Sequence, residues 1–356
     1  MTERPRFTVE PIPAPGGIEM PSAYQPKRLA RRALPVVALI GVLGLVVALA
    51  PGLSDVRNLL RDARPGWLVL AVMLEALSCV SYVLMFRPIF CRHMRLRTSW
   101  ELGWSELGMG SIVPASGIGG LALGAWVLHQ GGMPADQIAR RSVAFFLIKG
   151  AVNFVAVAVV GVLMATRVIG PPESLLLTVL PAVAALAVVA GALLMPRLGP
   201  GSGPTEGAGR VATALSAARR NLVGGVEESL SILRAGDPLV FVGAIGYWAW
   251  DNAVLWAAFH AFGYSPDIGV VLMAYLIGQL GGLLPIPGGL GGIDGGLLGT
   301  FVLYGTPVAV TAAAVLAYRI VLFWLPLLVG SVAFLSLRRG LNRPDRPDLC
   351  VVPAAS

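Results

Sequence analysis

The sequence predicts an all-α polytopic membrane protein, with about six full transmembrane helices plus two re-entrant hairpins broken by proline and glycine. Two observations support this fold class. Of the 356 residues, 56% are apolar and only 13% are charged, whereas about a quarter of a typical soluble domain is charged. Uncharged windows such as 33–50 and 175–195 are also long enough to cross the roughly 30 Å of hydrocarbon in a bilayer.

The predicted full spans share high hydropathy and sufficient length. In chain order they are 33–50, 67–86, 142–166, 175–195, 239–262 and 308–337. Residues 1–32 are predicted to form a disordered cytoplasmic tail. We expect the first apolar segment to be an uncleaved transmembrane helix and not a signal peptide, because a long proline-rich stretch precedes its basic residues and Pro51 follows it directly.

The loop at 196–238 divides the membrane region into a first half, 33–195, and a second half, 239–339. After a start rich in Gly and Pro, the loop carries apolar residues at helical spacing, namely Leu215, Leu222, Val226, Leu230 and Leu233. This pattern predicts an amphipathic helix that lies on the inner membrane surface. Residues 340–356 are predicted to form a second cytoplasmic tail.

The distribution of positive charge predicts the orientation of the chain. Most of the 27 Lys and Arg residues lie in the N-terminal tail, the loop after residue 86, the 196–238 loop and the C-terminal tail. Because cytoplasmic loops are enriched in Lys and Arg, we expect a multi-pass protein of the plasma (inner) membrane with both termini in the cytoplasm. The net charge of +8 then reflects topology, so no nucleic-acid partner is expected.

Two glycine-rich segments, 99–130 and 269–304, are predicted to be re-entrant hairpins, one in each half. Each segment contains two apolar pieces that are mostly too short to cross a bilayer, separated by Pro and Gly. Four full crossings would leave the termini on the same sides as two hairpins do. The length of the pieces, and not the charge distribution, therefore favours hairpins.

The two hairpins share a sequence pattern that predicts an internal repeat. From Pro114 and from Pro285 the order is Pro, two residues, Gly, a Gly-Gly pair, an apolar half-helix and a closing Gly-x-Pro. A single cation follows inside the next span, Lys149 in the first half and Arg319 in the second. The predicted orientations make the repeat inverted. Inverted repeats are common in secondary transporters, where broken helices meet near the midplane at the substrate site.

The break "PIPGGLGGIDGG" in the second hairpin predicts a binding site for an anion. Non-helical backbone at membrane depth is tolerated only where protein or a water-filled cavity satisfies its polar groups. The free amides and the dipole of the following half-helix favour an anion. Gly288, Gly289 and Gly291, with Gly117 in the first hairpin, allow close approach of a ligand to the backbone. A lipid phosphate suits this site best.

Charged residues within the spans are the candidates for contact with that phosphate, because a charge at membrane depth is costly. Arg319 is the strongest candidate, with an anchor at the outer surface as the alternative. Lys149 is the candidate from the first half, unless it extends to the membrane surface. Asp294 suits either a proton or cation site or ordinary capping of the half-helix. Glu75 stands alone in its span, and a buried pairing with Lys149 or Arg319 would suit either a functional or a structural role.

Four further polar residues are weaker candidates. Glu106 and His129 flank the first hairpin and are expected at its water-exposed rim. Asp251 and Asn252 lie within a span, in "YWAWDN", where the aromatic neighbours suit packing or the membrane interface.

Signatures of catalysis are absent from the sequence. It contains only three histidines and no HExxH, Walker lysine loop, nucleophile elbow or Rossmann fingerprint. We therefore expect no enzymatic activity, no cofactor and no metal site.

The second half also carries a specific series of motifs: a Pro-x-Pro-Gly-Gly-x-Gly break, then Gly-x-Pro, then Tyr-Arg before a Phe-Trp-x-Pro span. The residues concerned are Pro285, Pro287, Gly288, Gly289, Gly291, Tyr318, Arg319, Phe323, Trp324 and Pro326. In these residues the chain resembles the lysylphosphatidylglycerol synthase transmembrane family, the flippase-like group that includes UPF0104-like membrane proteins. The first half departs from the pattern, since many members have Gly-Glu and Glu-Arg where this chain has Gly119-Gly120 and Ile148-Lys149.

The resemblance implies translocation of an anionic lipid between leaflets: a phospholipid, an aminoacyl-phospholipid or a lipid linked through polyprenyl phosphate. Tyr318 and Arg319 would then belong to the lipid site. The sequence has no counterpart of the family's soluble lysyl-transferring domain, so lipid aminoacylation is not implied. Two alternatives stay open, a secondary transporter of small anions and a non-transporting scaffold for an envelope-lipid synthase. Expected partners are membrane lipids and an envelope-lipid biosynthetic enzyme, while the oligomeric state is not indicated.

Overall fold

The computed structural model describes residues 34, 38, 54–92, 94–112, 118–171, 175–199, 210–280 and 292–341. Its α-helices are α1 (Ser54–Arg61), α2 (Pro65–Phe90), α3 (Leu96–Ile112), α4 (Ile118–Gln130), α5 (Ala135–Ala165), α6 (Leu175–Leu194), α7 (Arg210–Arg234), α8 (Pro238–Ala261), α9 (Ile268–Leu280), α10 (Gly292–Leu303) and α11 (Val308–Leu341). A short 3₁₀ helix, Met195–Leu198, follows α6. No strand occurs within the described ranges, and the predicted all-α fold class is confirmed.

Four of these helices, α2, α5, α6 and α11, are long and apolar enough to cross a membrane. A fifth span is present if α7 and α8, which are bent by 110° at their junction, act as one. The first predicted span, 33–50, lies outside the described residues apart from Leu34 and Ala38. The total of about six full spans therefore stays a prediction.

The predicted hairpins consist of short helices. In the second hairpin, α9 has 13 residues and α10 has 12, so each is shorter than a full span. The two helices pack closely, since a Cβ atom added to Gly296 would lie 3.0 Å from the Cα atom of Gly278. In the first hairpin, α3 and α4 likewise pack against each other. The breaks between the arms, at 113–117 and 281–291, lie outside the described residues.

The two Gly-x-Pro turns that close these segments have the same backbone structure. Gly132 and Gly305 adopt φ values of 89° and 80°, in the left-handed region that favours glycine. The amides of the next residues, Met133 and Thr306, donate to the last turns of α4 and α10 at 3.2 and 2.9 Å. This arrangement satisfies carbonyls at the end of a helix. The two turns thus reverse the chain in the same way before α5 and α11.

The helices of the two halves are interleaved. The most extensive helix contact joins α2 of the first half to α8 of the second. Helix α3 packs on α11, and α9 packs on α5, so the first arm of each hairpin contacts the long helix that follows the hairpin of the opposite half. At the first of these contacts Gly108 and Gly330 meet, and a Cβ atom on Gly108 would lie 2.9 Å from the Cα atom of Gly330. The inverted orientation of the halves in a membrane stays a prediction.

The interior is divided into two apolar cores. One core includes α2 from Cys79 onward, the start of α8 and the end of α11. The other includes the start of α2, α8 from Val254 onward, and the start of α11. Polar residues of α2 and α8 lie between the two cores, among them Glu75 and Asp251. We call this band the polar layer.

Helix α7 occupies the region where an amphipathic helix is predicted. Val223 and Val226 are buried, and the helix packs against α5. Arg141 of α5 and Glu228 of α7 form an ion pair with an N–O distance of 3.2 Å. These contacts attach α7 to the first half of the molecule, while its position on the inner membrane surface stays a prediction.

Candidate polar site between the two halves

Asp251 of α8 is at the centre of the polar layer and is buried. The hydroxyl of Tyr318, from α11, donates to its Oδ1 atom at 3.1 Å. The hydroxyl of Tyr275, from α9, donates to Oδ2. Two hydroxyl donors from different helices satisfy the carboxylate, as a buried charge requires. The carboxylate of Asp251 therefore links α8 to both α9 and α11 through hydrogen bonds.

Lys149 of α5 lies on the first-half side of the polar layer. Its ammonium is 5.0 Å from the ring centroid of Tyr247 and 5.7 Å from that of Tyr82, within the range of cation–π attraction. Electrostatic attraction acts on the same ammonium from Asp251 and Glu106. Lys149 therefore lies between the aromatic faces and carboxylates of both halves.

Glu106 of α3 is buried and accepts a hydrogen bond of 3.0 Å from the hydroxyl of Tyr82. The expectation that Glu106 lies at a water-exposed rim is therefore wrong. The carboxylate faces α4, where a Cβ atom added to Gly124 would overlap Glu106 Oε1. His129, by contrast, is exposed at the end of α4.

Glu75 of α2 has a different environment. The Sγ atom of Cys79, one turn along the helix, donates to its Oε1 atom at 3.3 Å. Its Oε2 atom is buried and has no hydrogen-bond partner among the described residues. An ion pair of Glu75 with Lys149 or Arg319 is not formed within the part of the chain that the structure describes. The carboxylate of Asp251, on the neighbouring helix α8, repels a negative charge on Glu75.

Arg319 of α11 and Asp294 of α10 form an ion pair through the guanidinium Nε and Oδ1 atoms. Their side chains are 20% and 25% exposed, so the pair is accessible from a surface while Tyr318, next in the chain, is fully buried. Asp294 is in the first turn of α10, where a negative charge also complements the helix dipole. The two residues that sequence reasoning selected around the second break are thus in contact.

The remaining predicted site residues are the glycines of the breaks. Gly117, Gly288, Gly289 and Gly291 lie outside the described residues. The role predicted for them, close approach of a ligand to the backbone, therefore stays a prediction.

Sequence reasoning missed several members of the site. Tyr82, Tyr275 and Cys79 were not selected, although Cys79 and Tyr82 follow Glu75 at spacings that place all three on one face of α2. Asp251 is only a weaker candidate from the sequence, whereas it has the most connected carboxylate in the polar layer. A search for polar residues repeated at helical spacing within an apolar span would have found the α2 face.

Comparison with known proteins identifies the family. Residues 35–330 match the model of the lysylphosphatidylglycerol synthase TM region. The chain belongs to this family. With the long apolar helices described above, membership establishes an integral, multi-pass membrane protein.

Several UPF0104 membrane proteins are similar to parts of this chain. One from Methanothermobacter thermautotrophicus is 28% identical over 95 residues, which cover 26% of this chain and 28% of that protein. A second match from that organism is 37% identical over 91 residues, or 25% and 26% of the two chains. A relative in Methanocaldococcus jannaschii is 31% identical over 105 residues, or 29% and 31%. The matched segments span less than a third of these relatives.

Proposed function

We propose that this protein translocates an anionic lipid between the leaflets of the plasma (inner) membrane, with both termini in the cytoplasm and no catalytic role. The observation that carries the proposal is the position of Arg319. Its guanidinium is paired with Asp294 at the start of a half-length helix and is partly exposed within an otherwise apolar region. A guanidinium beside free amides at a helix N-terminus matches the geometry and charge of a lipid phosphate.

The proposed site uses cations from both halves. The phosphate replaces Asp294 as the partner of Arg319, and Lys149 attracts it from the opposite half. Asp251 lies in electrostatic range of both cations, so the polar layer offers each cation a protein carboxylate as an alternative to the phosphate. Apolar side chains on the outer surface of α6, such as Leu180, Val183 and Leu186, suit contact with acyl chains.

Convergence of the polar residues favours transport over a scaffold. Glu75, Glu106, Lys149, Asp251 and Arg319 come from five helices and lie in or beside one layer between two apolar cores. Burial of charge is costly unless partners are supplied, and a scaffold for an envelope-lipid synthase gains nothing from placing charges together inside the membrane. We retain such a synthase as a proposed partner that supplies or consumes the lipid.

Substitution of Arg319 tests the proposal. Leaflet exchange of a fluorescent anionic lipid is measured in proteoliposomes and normalised to folded protein. We expect Arg319→Gln to lower exchange at least tenfold, since a charge-assisted contact is worth about 1.5–3 kcal/mol. Arg319→Lys is expected to retain part of the activity because the charge remains but the planar fork is lost.

The matched control is Arg97→Gln, because Arg97 is also paired with a carboxylate but its side chain is 82% exposed. Its exchange rate is expected to equal that of the wild type. Equal rates for the wild type and Arg319→Gln would remove Arg319 from the mechanism. Uptake of inorganic phosphate or another small anion without lipid exchange would favour the small-anion transporter.

A further inference from the structure

The polar layer contains two buried carboxyl groups whose surroundings differ sharply. Asp251 accepts hydrogen bonds from two tyrosine hydroxyls and is attracted by Lys149 and Arg319. Glu75, only 5% exposed, receives one hydrogen bond from the described residues, that of the Cys79 thiol. A thiol is a weak donor. The surroundings therefore stabilise a negative charge on Asp251 and provide little to stabilise one on Glu75.

The groups that face Glu75 strengthen this difference. Among the described residues they are Cys79 on its own helix, Tyr247 and Asp251 of α8, and Tyr318 of α11. None of these four is a cation, and the charge among them is the carboxylate of Asp251. Farther along α2, near Tyr82, the neighbouring groups are Glu106 of α3 and Lys149 of α5. Tyr82 is seven residues from Glu75, or about 10 Å along the helix.

A buried carboxylate without donors or countercharge is far less stable than the neutral acid, and a second negative charge nearby disfavours it further. The Oε2 atom of Glu75 has no partner among the described residues. A proton on this atom removes both the cost of burying an unpaired charge and the repulsion from Asp251. Protonation also allows α2 and α8 to remain in close contact at this point. Loss of the proton places two negative charges across the principal contact between the halves.

We propose that Glu75 is the proton-carrying group that couples lipid translocation to the proton gradient. This inference rests on the proposed function and adds its energy source. In each cycle Oε2 takes one proton from water on one side of the membrane and returns one proton to water on the other side. Release of the proton produces repulsion between Glu75 and Asp251, which favours separation of α2 from α8 and hence the alternative arrangement of the two halves. Lys149 and Arg319, meanwhile, balance the charge of the bound phosphate.

The test measures the steady-state distribution of a fluorescent anionic lipid in proteoliposomes under an imposed pH gradient. For one proton per lipid, a gradient of one pH unit is expected to shift the distribution by up to about tenfold, and reversal of the gradient is expected to reverse the shift. Glu75→Gln, which imitates the protonated acid, is expected to abolish the response. Glu75→Asp is expected to retain part of it.

The matched control is Asp136→Asn, which removes a carboxylate whose side chain is 67% exposed, on α5. Its response is expected to equal that of the wild type. If the protein exchanges lipid but the lipid is distributed between the leaflets in the same way under both gradient directions, proton coupling is refuted. The proposed function would then remain in place. A full response in Glu75→Gln would overturn the role of Glu75.

Absence of any lipid exchange by the wild type would instead refute the proposed function and with it the coupling to lipid. The proton on Glu75 is then tested separately by infrared spectroscopy of the purified protein at neutral pH. A carbonyl band of a protonated carboxyl group that disappears in Glu75→Gln, but persists in Asp136→Asn, supports the proton on Glu75. Lack of a difference between wild type and Glu75→Gln overturns it.

Discussion

The contact of α3 with α11 gives a sharp test of how the two halves fit together. A Cβ atom added to Gly108 would lie 2.9 Å from Gly330 Cα and 3.0 Å from the carbonyl oxygen of Pro326. Both are backbone atoms, so relief requires movement of a whole helix. Overpacking of this kind costs about 1–3 kcal/mol. Replacement of glycine by alanine in a helix returns up to about 1 kcal/mol, so Gly108→Ala should destabilise the protein by about 0–2 kcal/mol.

The matched control is Gly110→Ala, on the same helix, where no described atom lies within 4 Å of the added Cβ. This variant keeps only the gain in helix propensity, so the two variants should differ by about 1–3 kcal/mol. The difference is measured as the free energy of unfolding in a mixed-detergent titration, followed by tryptophan fluorescence. Equal or higher stability of Gly108→Ala relative to Gly110→Ala would show that α3 and α11 do not pack through these glycines.

Two further predictions concern the polar layer. Tyr318→Phe removes a donor to the charged carboxylate of Asp251 and should lower the free energy of unfolding by about 1.5–3 kcal/mol. Its control, Tyr304→Phe, removes a hydrogen bond of 2.9 Å to a neutral carbonyl and should lower the free energy of unfolding by only about 0.5–1.5 kcal/mol. A larger loss in Tyr304→Phe than in Tyr318→Phe would refute the charge on Asp251. Asp294→Asn weakens a partly exposed ion pair and should change stability by at most about 1 kcal/mol. By freeing Arg319 for phosphate it should nevertheless tighten binding of anionic lipid in a liposome-flotation assay, and weaker binding would contradict the proposed exchange of partners.

The overall architecture could be predicted from the sequence because hydrophobic length is a strong constraint in membrane proteins. Spans 67–86, 142–166, 175–195 and 308–337 correspond to α2, α5, α6 and α11, and the half-length pieces of the second hairpin correspond to α9 and α10. The contact of each hairpin with the long helix that follows the opposite hairpin was not predictable. That contact depends on small residues such as Gly108 and Gly330 facing each other, and sequence periodicity on one helix does not identify its partner.

The site was predicted in part, and the reason is physical. Arg319, Lys149 and Asp294 stand out because a single charge in an apolar span requires an explanation. Their partners do not stand out, because tyrosine is common in membrane proteins for packing and at interfaces. The Tyr275 and Tyr318 bonds to Asp251 join residues that are distant in the sequence. Only the fold brings them together.

The two cations of the polar layer have different surroundings, and this difference bears on the lipid path. The ammonium of Lys149 is enclosed by aromatic rings and attracted by two carboxylates. The guanidinium of Arg319 is paired with a carboxylate whose side chain is a quarter exposed. Both residues are partly buried, so the two cations differ in their partners: a phosphate competes with a partly exposed carboxylate for Arg319, but with aromatic rings and two carboxylates for Lys149. Loss of Arg319 charge should therefore weaken lipid binding more than loss of Lys149 charge, and a binding assay compares the two variants.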